Sequence, residues 1–118
     1  MKKVIHRRGN VFVQQELAGV VWQDEEGFHF AYAPEYAMQQ PSPPPISLTM
    51  PVQTAPYHSR TELFPFFDNL IPEGWLLNLA VDTWKLSAYD RMGLLLTVCR
   101  DCIGAVRVEA VELPEVDQ

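Results

Sequence analysis

Cys99 and Cys102 enclose Arg100 and Asp101, the two-residue spacing that serves a redox dithiol or half of a zinc site. A structural zinc takes four ligands, yet the chain has no other cysteine, and His6, His29 and His58 are scattered singly over strands and loops. A thioredoxin-like pair follows a strand and opens a helix. This pair falls at the expected end of a helix, where the dipole disfavours a thiolate. Two buried or half-buried thiols are therefore expected, with no metal and no cofactor. Asp68 and Glu73 flank Asn69-Leu70-Ile71-Pro72 and have the right types for a general acid and base, but helix-end capping accounts for them equally well. No Gly-rich phosphate loop, His-Glu-x-x-His or Gly-x-Ser-x-Gly occurs. No catalytic residue and no enzymatic activity are expected, and a redox centre at the cysteine pair is the rival enzyme reading.

Binding chemistry is better represented. Phe64-Pro65-Phe66-Phe67-Asp68-Asn69-Leu70-Ile71-Pro72-Glu73-Gly74-Trp75 concentrates aromatic residues ahead of a Pro-Glu-Gly break. Phe66, Phe67 and Leu70 are expected in the core, joined by Leu79 and Leu95. Trp75 follows a turn formed by Pro72, Glu73 and Gly74, which would present a large amphipathic ring of the kind that anchors interfaces. A tryptophan that caps the core from inside satisfies the same spacing.

Elements of two periods must position these residues. The 118 residues suit one domain, and 47% hydrophobic with 20% charged composition supports a packed core. Residues 10–13 and 17–22 read as strands. Asp24-Glu25-Glu26-Gly27 supplies turn chemistry before Phe28-His29-Phe30-Ala31-Tyr32 alternates at period two, giving a hairpin. Prolines 41, 43, 44 and 45 impose an extended connection. Ile46, Leu48, Met50 and Val52 alternate with polar residues and Pro51, which predicts an edge strand. Ser59-Arg60-Thr61-Glu62 fits a capping box for a short helix ending near Asn69, with a late start or kink at Pro65. Residues 75–84 resume helical spacing. Ser87-Ala88-Tyr89-Asp90 resembles a further capping box before Met92, Leu95, Leu96 and Cys99, and residues 105–111 alternate as a strand. The expected fold class is α+β: a small, mainly antiparallel sheet or partial barrel, then three short helices and a returning strand.

Charge narrows the class of partner. Nine basic and fifteen acidic residues give a formal net charge of -6, and Lys2, Lys3, Arg7 and Arg8 hold four of the bases. Residues 9–118 therefore carry five bases against fifteen acids, which opposes specific nucleic-acid contact. The basic start leads into polar residues rather than an apolar signal core, and no apolar run is long enough to span a bilayer. With two cysteines and no disulfide framework, the expected compartment is the cytoplasm. The expected organisation is a basic extension at 1–9, a domain at 10–111 and an acidic tail at 112–118.

Four blocks then carry a family resemblance. Tyr32-Ala33-Pro34-Glu35-Tyr36, Ile46-Ser47-Leu48-Thr49-Met50-Pro51, Phe66-Phe67-Asp68-Asn69-Leu70-Ile71-Pro72-Glu73-Gly74 and Arg100-Asp101-Cys102-Ile103-Gly104-Ala105-Val106 resemble, in order and spacing, the HipA amino-terminal subdomain. The resemblance covers roughly residues 10–110, and the Phe-Phe-Asp and Gly-Ala-Val blocks are its specific parts. Cys99 and Cys102 depart from the small residues the family often has around Arg-Asp. In HipA-type serine/threonine kinases this subdomain precedes a kinase core, and no such core follows Val106 in this sequence. A free-standing version is similar to the HipS antitoxins of bacterial HipBST toxin-antitoxin systems. There HipT carries the kinase, HipB binds DNA, and HipS neutralises the toxin. The resemblance thus implies a HipT-like kinase and a HipB-like protein as partners in a ternary complex. It implies inhibition by blocking the kinase active site or locking the kinase inactive. Pro72, Glu73, Gly74 and Trp75 are the expected inhibitory contact. The alternative is a scaffold subunit that inhibits nothing.

Overall fold

The computed structural model describes residues 5–71, 90–98 and 105–111. Its frame is an open five-stranded antiparallel sheet built from two consecutive hairpins and two added edges. β1 (Ile5–Val13) turns through Gln14 and Gln15, both at positive φ (50° and 74°), into β2 (Glu16–Asp24). Positive φ at both central positions gives a twist that matches paired strands. β2 turns again into β3 (Gly27–Tyr32), where Gly27 adopts φ 118°. A side chain there would also strike the carbonyl of Ser59. Asp24 accepts the Glu26 N–H at 2.8 Å and closes this turn as an Asx motif. After a long connection, β4 (Tyr57–Ser59) adds to β3, and β5 (Val106–Ala110) returns to the free side of β1, giving the order β4-β3-β2-β1-β5.

Alternation sorts the strands into two faces. Val11, Val21, Phe30 and Val108 point inward and are fully buried. Among the described residues, three short helices accompany the sheet: α1 (Pro34–Ala37), α2 (Pro65–Asp68) and α3 (Arg91–Val98). Phe67 of α2 and Leu94 and Leu95 of α3 are fully buried in the same core. The proline-rich connection is fastened from beneath by tyrosines. The Tyr32 hydroxyl accepts the Ile46 N–H at 3.0 Å and donates to the Met50 carbonyl, while the Tyr36 hydroxyl donates to the Pro44 carbonyl at 2.5 Å. Burial raises the pKa of both phenols, which keeps them protonated as donors.

Several expectations are corrected. Residues 46–52 form a turn rather than an edge strand: the Met50 N–H donates to the Ser47 carbonyl at 3.0 Å. The reversal buries Ile46 and Met50 and leaves Leu48 93% exposed, so alternation there records a bend and not a pleat. The expected capping box at Ser59 ends β4 instead, with the Ser59 hydroxyl donating to the Glu62 carbonyl at 2.5 Å. Helix α2 does make the late start expected at Pro65, whose missing N–H costs nothing at a first helical position. Helix α3 is capped by Asp90, whose carboxylate accepts the Gly93 N–H at 3.2 Å, while Ser87 of the expected capping box lies outside the described residues. Helix α1 precedes the long connection, where none was expected. Residues 5–8 belong to β1 rather than to an extension, because β1 pairs with β2 from Ile5 onward. The expected helix at 75–84 lies outside the described residues.

Candidate functional site

A cleft of about 470 Å³ opens between α2, the start of α3 and the end of the sheet that carries Arg7 and Gln23. Its walls are tied by two ion pairs. Arg7 Nη1 donates to Asp90 Oδ2 at 2.7 Å, and Arg91 Nε donates to Asp68 Oδ1 at 2.6 Å. Arg7 is itself aimed by Gln23, whose Oε1 accepts from Nε at 3.1 Å and from Nη2 at 2.5 Å. The Arg7 hydrogen bond, helped by the Gly93 N–H, holds the Asp90 carboxyl below its ordinary pKa despite partial desolvation. Gly93 lets the group close over the helix start: a Cβ there would lie 2.4 Å from Asp90 Oδ2 and 3.0 Å from Arg7 Nη1.

This arrangement suits recognition better than proton transfer. Both carboxylates are engaged by guanidinium groups, so neither is poised as a general base. Asn69 is exposed at the rim, and the chain leaves α2 through two turn hydrogen bonds, Leu70 N–H to Phe67 O at 3.0 Å and Ile71 N–H to Asp68 O at 3.2 Å. Ile71 is 2% exposed, so the chain enters Pro72 from an anchored residue.

The expected contact residues Pro72, Glu73, Gly74 and Trp75 lie outside the described residues, as do Leu79, Cys99 and Cys102. Phe67 and Leu95 are fully buried, while Phe66 and Leu70 are partly buried against the same cluster. Asp68 pairs with Arg91. His29 Nε2 lies 2.8 Å from the buried Asp24 carboxylate, and its ring is stacked between Trp22 and His58 at centroid distances of 4.9 and 4.7 Å. His58 Nε2 donates to the Glu26 carbonyl at 2.7 Å. Among the described residues no group of three His, Cys, Asp or Glu side chains is placed to hold a metal. Nor is any described helix long and apolar enough to cross a membrane. Sequence reasoning missed Arg7, Gln23, Asp90 and Arg91 as cleft residues. Their partners are 16 to 83 positions away, and only the basic cluster at the amino terminus hinted at any of them.

Comparison with known proteins places this geometry. Residues 9–109 match the family described as HipA N-terminal domain. An uncharacterized protein of Haemophilus influenzae is 37% identical over 103 residues, covering 87% of this chain and 92% of that protein. Among solved structures, the N-terminal domain of HipA toxin superposes with a TM-score of 0.71 at 32% identity, covering 95% of this chain and 98% of the other.

Proposed function

Since the chain belongs to the HipA N-terminal domain family, we propose that it is a binding module of a bacterial toxin-antitoxin system that docks on a separate HipA-like serine/threonine kinase, of the HipT type, and neutralises it. The observation that carries this reading is the superposition on the N-terminal domain of HipA toxin over nearly the full extent of both chains. The cleft adds physical support. Its two arginine-carboxylate pairs fix α2 and α3 against the sheet at the point where the chain enters the Pro72-Glu73-Gly74-Trp75 segment, the proposed contact with the kinase. An anchored base of this kind limits the entropy lost when the segment that follows it docks on a partner. A net charge of -6 suits a basic partner cleft.

In this proposal the chain acts by binding alone, without catalysis or cofactor. It works in the cytoplasm, away from membranes, within an assembly that includes a HipB-like DNA-binding protein, and it makes no specific nucleic-acid contact of its own. The test is co-expression with the kinase encoded beside it, scoring growth rescue and co-purification. Rescue with a stable complex is expected, and Trp75→Ala should abolish rescue while leaving the thermal melt unchanged. Co-purification without rescue would reassign the chain as a scaffold, and the absence of both would leave only the fold.

A further inference from the structure

The reverse face of the sheet carries a second feature, independent of the cleft and of the kinase reading. Alternation sends Arg8, Val20, Trp22 and Ala31 away from the core, because Val21 and Phe30 beside them are fully buried. With Ala33 and Pro34, these side chains line a shallow pocket of about 390 Å³ whose walls are mainly apolar. Arg8 stands directly opposite Trp22 in the β1–β2 register. Its Nε is buried and has no hydrogen-bond partner among the described residues. The neighbouring arginines differ: Arg7 holds Gln23 and Asp90, Arg91 holds Asp68, and Arg107 pairs with Glu109 while lying 4.2 Å over the Phe12 ring.

A desolvated guanidinium N–H calls for an acceptor, and a carboxylate is the one whose geometry and charge fit it. A free anion would leave the apolar walls uncovered, so the occupant must bring apolar side chains on either side of that carboxylate. Arg and Trp side by side in a partly dry pocket are also the residue types that dominate binding energy. In an acidic chain, attraction of a carboxylate to this face has to be local and to centre on Arg8. We propose that this reverse face is a second docking surface, which binds a segment of a partner protein presenting an Asp or Glu flanked by aliphatic or aromatic residues, its carboxylate seated on Arg8 and its apolar side chains on Trp22 and Val20.

The test needs no kinase. A displayed library of random dodecapeptides is selected on the full chain, and the enriched peptides are measured by fluorescence anisotropy. Enriched peptides are expected to share an acidic residue between apolar ones. They should bind about tenfold or more weakly to Arg8→Gln and Trp22→Ala, a loss in the range of a single interface anchor. Arg8→Lys, which keeps the charge but lacks the Nε–H, should show the same loss, and Arg91→Gln in the cleft should show none. Thermal melts of each variant confirm that it is folded. No enrichment, enrichment without acidic residues, or affinity unmoved by Arg8→Gln would overturn the proposal. So would Arg8-dependent binding that appears only when Glu112, Glu115 and Asp117 are neutralised together, since the occupant would then be the chain's own tail. Self-association abolished by Arg8→Gln would make the occupant a second copy and would overturn it equally.

Discussion

Asp90 joins two tasks in one side chain. One oxygen caps α3 through the Gly93 N–H, and the other meets Arg7 across the cleft. Asp90→Ala is expected to lower unfolding free energy by about 1 kcal/mol, the usual cost of a lost cap, measured by urea denaturation at neutral pH. The same contacts set a pH dependence. The folded carboxyl titrates below its ordinary value of 3.8, so near that pH the unfolded chain binds the proton more readily. Asp90 therefore contributes stability above about pH 4 and loses it as the pH falls through the folded pKa. The gap between wild type and Asp90→Ala should narrow over that acid range, and a constant gap would refute the coupling. Tyr32 offers a second test. Tyr32→Phe keeps the ring but strips the acceptor from the Ile46 N–H and the donor from the Met50 carbonyl. A loss of about 1–3 kcal/mol is expected, with faster hydrogen exchange at the Ile46 amide.

Local chemistry fixed some elements and misled at others. The β2–β3 hairpin was legible because Gly27 and alternating large residues both signal it, and β5 was legible from its alternation. The 46–52 segment shows the same alternation yet bends, since its partners are the Tyr32 hydroxyl and its own turn rather than a neighbouring strand. Ser59 and Glu62 have cap chemistry, but Pro65 offers a better helix start six residues later, and α1 is too short to leave a periodic trace. The cleft was invisible for a different reason. Ion pairs between residues 7 and 90 or 68 and 91 depend on tertiary approach that no spacing encodes. The break between β1 and β2 was legible from the two apolar runs, but the tight turn was not, because Gln14 and Gln15 are not turn-formers although both occupy the left-handed region. Replacing them with Asn-Gly should relieve that strain and raise stability by about 1 kcal/mol, seen as a higher melting temperature. An unchanged or lower value would mean that the glutamines hold the turn by contacts that matter more.

At the scale of the molecule, the first strand lies inside the sheet and the last strand completes it. β5 covers the side of β1 that β2 leaves open, pairing Gly9 with Ala110 and Val13 with Val106 across about a hundred residues. It also contributes the fully buried Val108 to the core. A chain ended before Ala105 should therefore lack cooperative unfolding and show collapsed amide dispersion, whereas a chain ended after Val111 should retain both. Pairings this distant in sequence slow folding, because loop closure precedes any reward from contact. The order of synthesis adds a hazard of its own. While the ribosome is still making the helices, β1 presents a bare edge rich in Val and Phe, and such edges recruit strands from other molecules. The interval before residue 110 emerges is thus the period in which this domain is most open to swapped or aggregated forms. Synonymous changes that slow translation between β4 and β5 would lengthen that interval without altering the finished protein.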